Sequence, residues 1–180
     1  MYYIHRVFQA LMLFIKKISL HGNLILKSPI YKYDVQASCI KCGNNGEMIL
    51  GQMNTQTNVH LVSWGGKLTI GNGCGFNRNV IIVSRNQISI GDKVLIGPNV
   101  CIYDHDHKFG GEGIIDNELN YGTVSIGNNV WIGAGTIVLK NTIIGNNCVI
   151  GAGCVVSGNI PDYSLVTTGN RDLKIEKLHK

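Results

Sequence analysis

Charge is scarce in this chain: only 15% of its 180 residues are Asp, Glu, Lys or Arg, against 44% hydrophobic residues. That balance excludes a disordered chain and leaves room for one domain with a real core. The net charge of +5 is not gathered into any Lys/Arg block, so no nucleic-acid partner is expected. Long apolar runs are missing too. Within the first twenty residues the longest unbroken run is Ala10 to Ile15, far short of the roughly 20 residues that span a bilayer. Gln9 interrupts that stretch and no small-x-small site follows it, which reads against a signal peptide. Six cysteines are present, but the companions of a zinc site are not: Cys39-x-x-Cys42 has no second CxxC or CxxH. Three prolines beside 23 glycines imply frequent turns, and long helices only where glycine is absent.

Residues 1–20 are such a place. Ile4, Val7, Phe8, Leu11, Ile15 and Ile18 follow helical spacing, with Arg6, Gln9, Lys16 and Lys17 largely off the stripe. The helix either caps a repeat array or rests on a membrane surface with its basic residues toward headgroups. Residues 23–67 read as degenerate first coils, with Gly46–Gly51 and Val59–Val62 as short strands between turns. From Leu68 a regular unit takes over. Ile90, Ile96 and Ile102 fall six residues apart, as do Ile126, Ile132, Val138, Ile144, Ile150 and Val156. Alternation within each short piece means strand, and the glycine that follows means a corner needing positive φ or close backbone approach. Short strands with a corner every six residues coil into an all-β, parallel β-helix with three flat faces and eighteen residues per turn. Cys74, Cys148 and Cys154 each precede a repeat position by two, where small inward side chains belong; buried thiols there fit a reducing compartment.

The repeat breaks once, from Tyr103 to Gly122, and a break on a rigid scaffold is where chemistry concentrates. If this loop is wholly extruded, Ile102 is followed in the ladder by Ile126, and Phe76, Ile96, Ile132 and Ile150 share a face. The loop opens on Asp104-His105-Asp106-His107. Histidine suits general-base work, and either aspartate can hold one imidazole nitrogen. As no further ligands cluster with these four, no metal is expected. Gly133-Ala134-Gly135 and Gly151-Ala152-Gly153 lie one coil apart and should stack, leaving a groove for an extended ligand arm. Trp131 should point outward, toward a neighbouring subunit or a cleft.

The stretches IGNGCGFNRNVII, IGDKVLIGPNVCIYDHDH and IGNNVWIGAGTIVLKNTIIGNNCVIGAGCVVSGNIPDYSLVTTGN resemble the hexapeptide-repeat acyltransferases. The look is closest to the maltose/galactoside-type sugar O-acetyltransferases, and the likeness covers Leu68 to Gly169. It implies a left-handed helix, a cytoplasmic homotrimer, and acetyl-CoA meeting its acceptor between neighbouring prisms. His105 matches the catalytic histidine, with Asp104 or Asp106 as its orienting partner; His107 stands one step further out, on the acceptor side with Asn77. Trp131, Gly133, Ala134, Gly151 and Ala152 match the side that meets coenzyme A. The tail departs from the pattern, lacking its proline, but Arg171 and Lys174 can still pair with CoA phosphates. Gly158 stands where such enzymes often carry lysine.

The expectation is an acetyl-CoA-dependent O-acetyltransferase of a sugar or saccharide intermediate, possible in surface-polysaccharide synthesis at the inner face of the membrane. Its organisation is a helix over 1–22, first coils over 23–67, a β-helix over 68–163 with the loop 103–122, and a cap and tail over 164–180. N-acetylation of an amino sugar, O-acetylation of serine or an antibiotic, and a non-catalytic β-helix scaffold are the alternatives.

Overall fold

The structure is a computed structural model that describes residues 23–27, 34–35 and 39–168. The helix expected over residues 1–22, together with Arg171 and Lys174, lies outside the described residues. Among the described residues there is no helix, and hence none able to cross a membrane.

The strands, numbered in chain order, wind round a three-sided prism. Face one carries β1 (Asn23–Leu26), β4 (Glu47–Leu50), β7 (Lys67–Ile70), β10 (Gln87–Ile90) and β15 (Thr123–Ile126). Face two carries β2 (Asp34–Val35), β5 (Met53–Thr55), β8 (Cys74–Phe76), β11 (Leu95–Ile96), β16 (Trp131–Ile132), β18 (Val149–Ile150) and β20 (Leu165–Val166). Face three carries β3 (Cys39–Gly43), β6 (His60–Trp64), β9 (Ile81–Ser84) and β12 (Cys101–Tyr103). Two longer strands, β17 (Ile137–Ile144) and β19 (Val155–Ile160), turn the corner from face three into face one. All these pairings are parallel, so the β-helix stands.

The inward ladder is the expected one. Phe76 pairs with Ile96, Ile96 with Ile132, and Ile132 with Ile150, while Ile90 pairs directly with Ile126 across the insertion. Residues such as Leu68, Ile82, Ile88, Ile102 and Ile132 are fully buried and fill the prism. Each such side chain contributes about 1.5–3 kcal/mol through burial. Cys74, Cys148 and Cys154 are buried free thiols that donate to carbonyls, Cys74 to Gly91 at 3.2 Å and Cys148 to Pro161 at 3.1 Å. Burial pushes the Cys74 thiol up, keeping it neutral.

The coil length is not uniform. After the insertion it is eighteen where Trp131 pairs with Val149 and sixteen in the last coil, where Val149 pairs with Leu165, but Lys67 pairs with Gln87, twenty on, and Cys39 with His60, twenty-one on. The earlier coils carry extra residues where face three turns into face one. Buried hydroxyls stitch that wider corner: Ser63 donates to Gly66 O at 2.6 Å, and Ser84 Oγ, 3.1 Å from Lys67 O, donates its one proton to Asp104 Oδ2 at 2.8 Å. The six-residue spacing therefore fails before Ile88.

The corner between faces one and two shows what its glycines are for. Asn72, Asp92, Asn128, Asn146 and Asp162 stack there, each side chain accepting a backbone N–H from the coil before at 2.6–3.0 Å. The glycine ahead of each of the first four must leave space for the next side chain, while Asp162, the last, follows Pro161. A Cβ on Gly91 would lie 2.5 Å from Asn128 Oδ1 and 2.7 Å from Gly127 O. Close approach, not positive φ, is the constraint at that position; two residues on, Lys93, Asn129, Asn147 and Tyr163 adopt the left-handed conformation.

Gly91→Ala should therefore cost about 1–3 kcal/mol by overpacking. Gly110→Ala, where a Cβ meets nothing within 4 Å, should leave stability nearly unchanged. Urea denaturation of the two variants checks the contrast.

Candidate functional site

The insertion is an ordered antiparallel hairpin rather than an irregular loop. Its strands are β13 (His105–Gly110) and β14 (Gly113–Tyr121), and His105 pairs with Tyr121 at its base. It leaves the prism after Asp104, which is fully buried at the corner of faces three and one. Gly122 N–H donates to Asp104 O at 2.7 Å, and the Asn86 amide donates to Gly122 O at 2.8 Å. These bonds close the base, so the ladder passes from Ile90 to Ile126 undisturbed.

The Asp104 carboxylate is surrounded by donors. Oδ2 accepts from the Ser84 hydroxyl at 2.8 Å and from Asn86 N–H at 2.9 Å. Oδ1 accepts from Arg85 N–H at 2.8 Å and meets His105 Nδ1 at 2.9 Å. An acceptor there makes Nδ1 the protonated nitrogen and leaves Nε2 with its lone pair. The His105 side chain is 15% exposed and meets the Tyr103 ring edge-on, at 6.1 Å between centroids and 88° between planes. Asp106 faces elsewhere and pairs with Lys140 at 3.3 Å, so Asp104 is the aspartate that orients the imidazole. His107 is exposed on the hairpin, across from Leu119. The exposed Lys108–Glu118 pair adds little to stability.

His105 borders a cleft of about 380 Å³ between the hairpin and the corner where β17 and β19 bend. Leu139, Lys140 and Asn141 form one wall, and Ser157 and Gly158 another. Lys140 was not among the residues singled out in the sequence. Its place becomes visible only once the bend of β17 is known.

The two small triplets stack as expected. Gly153 N–H donates to Ala134 O at 2.8 Å, and a Cβ on Gly133 would lie 2.6 Å from Ala152 N. They occupy the corner of faces two and three, where the earlier coils carry an asparagine ladder. Asn58 donates to Asn79 at 2.8 Å and Asn79 to Asn99 at 3.0 Å, all three in the left-handed conformation. In the next two coils Gly135 and Gly153 hold that conformation without a side chain. Ala134 and Ala152 are exposed beside them, and their backbone N–H groups donate to no acceptor among the described residues. The corner thus changes from a closed ladder to a bare track.

Trp131 and Asn77 lie elsewhere again. Both line a groove of about 510 Å³ on face two, with Leu95 and Gly75 between them. In a three-sided prism the corner of faces three and one, which holds His105, is opposite face two. One copy of the chain therefore does not bring His105 together with Asn77 and Trp131. The described residues contain no cluster of three potential metal ligands.

Residues 123–158 match the family model for the bacterial transferase hexapeptide (six repeats). That segment is the part of the chain that the six-repeat model describes. Over 76 residues the chain is 39% identical to galactoside O-acetyltransferase of Escherichia coli (strain K12), matching 42% of itself and 37% of that protein. Over 98 residues it is 43% identical to nodulation protein L of Rhizobium meliloti (strain 1021), covering 54% of each. It thus spans about a third to a half of the length of these relatives. A hexapeptide-repeat containing acetyltransferase of Vibrio cholerae O1 biovar eltor, solved with acetyl coenzyme A, shares the fold: TM-score 0.59, 22% identity, 87% of this chain and 70% of that one.

Replacing Asp104 by Ala should cost at least about 3 kcal/mol, because four donors lose their acceptor together. Thermal denaturation reads the loss. Hydrogen exchange should then accelerate across His105 to Tyr121 more than along the Ile126 ladder.

Proposed function

We propose that this chain is an acetyl-CoA-dependent O-acetyltransferase acting on a hydroxyl of a sugar or saccharide intermediate. The observation that carries the reading is the His105 imidazole, held through Nδ1 by buried Asp104 at the edge of a cleft. A fixed imidazole with Nε2 unprotonated is what a general base requires. The names of the galactoside O-acetyltransferases among its relatives support the reaction class and the sugar acceptor.

Acetyl-CoA supplies the acyl group as a thioester. The track at Gly133, Ala134, Gly151 and Ala152 fits its extended arm, since the asparagine side chains that close this corner elsewhere are gone. Arg171 remains a candidate for the phosphates. His105 Nε2 takes the proton of the acceptor hydroxyl as its oxygen attacks the thioester carbon. The carbon–sulfur bond breaks, and His105 returns the proton to the leaving sulfur. No cysteine is needed as a nucleophile.

Because His105 and the Asn77–Trp131 groove lie on opposite sides of one prism, an acceptor touching both needs two copies of the chain. That geometry supports a homotrimer with shared sites, Asn77 and His107 serving the acceptor and Trp131 standing where the acceptor groove meets the donor side. The buried free thiols and the acetyl donor support a cytoplasmic setting, and residues 1–20 the membrane's inner face, where surface polysaccharide is assembled.

A second reading is favoured by exposure. His107 is open to solvent two residues along the same strand, whereas His105 is mostly covered. In that version His107 is the base, and His105 with Asp104 fixes the strand that presents it.

Alanine at the true base should lower kcat by about 10²- to 10⁴-fold with coenzyme A affinity retained. Full turnover in His105→Ala with collapse in His107→Ala would move the role to His107. Full turnover in both removes the mechanism, and an absence of both thioester consumption and a CoA-induced thermal shift leaves a non-catalytic scaffold.

Gly135→Asn should rebuild the ladder, as Asn tolerates the left-handed conformation. The fold should survive while KM for acetyl-CoA rises about ten-fold or more, roughly the loss of one good contact. Steady-state kinetics with thermal denaturation checks both halves.

A further inference from the structure

The groove on face two continues past Asn77. Its floor can be laid out in two outward columns by register. In one, Asn54 pairs with Gly75, Gly75 with Leu95, and Leu95 with Trp131. In the other, Gln56, Asn77 and Gly97 follow one another, each N–H donating to the carbonyl of the next coil's inward residue at 2.8–2.9 Å. The groove therefore runs along the prism axis for three ladder steps, roughly 14 Å. That exceeds the width of one pyranose ring.

Its chemistry changes along that length. At one end stand an indole 56% exposed and Leu95, itself exposed. At the other stand the carboxamides of Asn54 and Gln56, both exposed. Asn77 lies between, its Oδ1 accepting Arg78 N–H at 2.8 Å, which leaves its amide N–H groups for a ligand. Glycines 73, 75 and 97 keep the floor low. No Asp, Glu, Lys, Arg or His lines the groove, in a chain with net charge +5. An aromatic face offers a platform for the C–H side of a sugar ring, and carboxamides pair with neighbouring hydroxyls. A phosphate or carboxylate would find no counter-charge.

We propose that this groove binds an uncharged saccharide of at least two linked rings, one over Trp131 and the next against Asn54 and Gln56. This rests on the sugar-acceptor reading above and narrows it: the acceptor is an oligosaccharide or glycoside chain, with no anionic group in this groove. Asn54 and Gln56 set the preference for length.

Binding can be read apart from catalysis. The chain has two tryptophans, so a Trp64→Phe background makes intrinsic fluorescence report Trp131. That protein is titrated with glucose, maltose and maltotriose, and with N-acetylglucosamine, chitobiose and chitotriose. In at least one series the second ring should tighten Kd by about ten-fold, the worth of one or two neutral hydrogen bonds. Adding Asn54→Ala and Gln56→Ala should erase that gain, and UDP-glucose should bind no tighter than glucose. A Kd independent of length, a gain that survives the double replacement, tighter UDP-glucose binding, or no response to either series would each overturn the proposal. Length-dependent binding without acetyl transfer from acetyl-CoA would leave the groove standing and remove the transferase reading instead.

Discussion

Successive coils of this prism lie one strand spacing apart, and at the corners that distance excludes a side chain wherever the backbones meet. The Asn/Asp stack from Asn72 to Asp162 is possible only because a glycine precedes every member that has another stacked on it, Asn72, Asp92, Asn128 and Asn146; the last, Asp162, follows Pro161. The same closeness lets each polar side chain reach the amide of the coil before, so the corners hold their own hydrogen bonds. Interior packing by isoleucine, valine and leucine then follows from strand alternation. Corner geometry also controls where a ligand can approach: asparagines at positive φ close one edge, and glycines at positive φ open it.

Much of this was readable before any coordinates. Although the sixfold recurrence expected from Leu68 fails in its first coil, where Leu68 pairs with Ile88, twenty residues on, the passage of the ladder from Ile102 to Ile126 and the shared face of Phe76, Ile96, Ile132 and Ile150 are borne out. These follow from periodicity, which is local. The longer early coils were hidden because extra residues at the wider corner shift the apolar pattern out of phase. Their register depends on Ser63 bonding to a carbonyl and Ser84 to a carboxylate nearby in space, which spacing alone does not encode. The hairpin was read as a loop because its strands face solvent on both sides and carry no alternation.

The site shows the same division. Asp104-His105 stood out as a sequence neighbour pair, but the choice between Asp104 and Asp106 needed the corner: Ser84, Arg85 and Asn86 reach across from the preceding coil to fill Asp104's oxygens, while Asp106 turns to Lys140. Asn77 and Trp131 were each identified singly. Their common groove, and the extension to Asn54 and Gln56, appears only when coils of twenty and twenty-one residues set the register.

The hairpin leaves from Asp104 and returns at Gly122 through one backbone hydrogen bond, and the coils on either side stack as though it were absent. An arm hinged this way is modular. It can lengthen, shorten or change composition over evolutionary time without repacking the prism that carries it. One rigid scaffold can thus be retained while the part that meets the acceptor is rewritten.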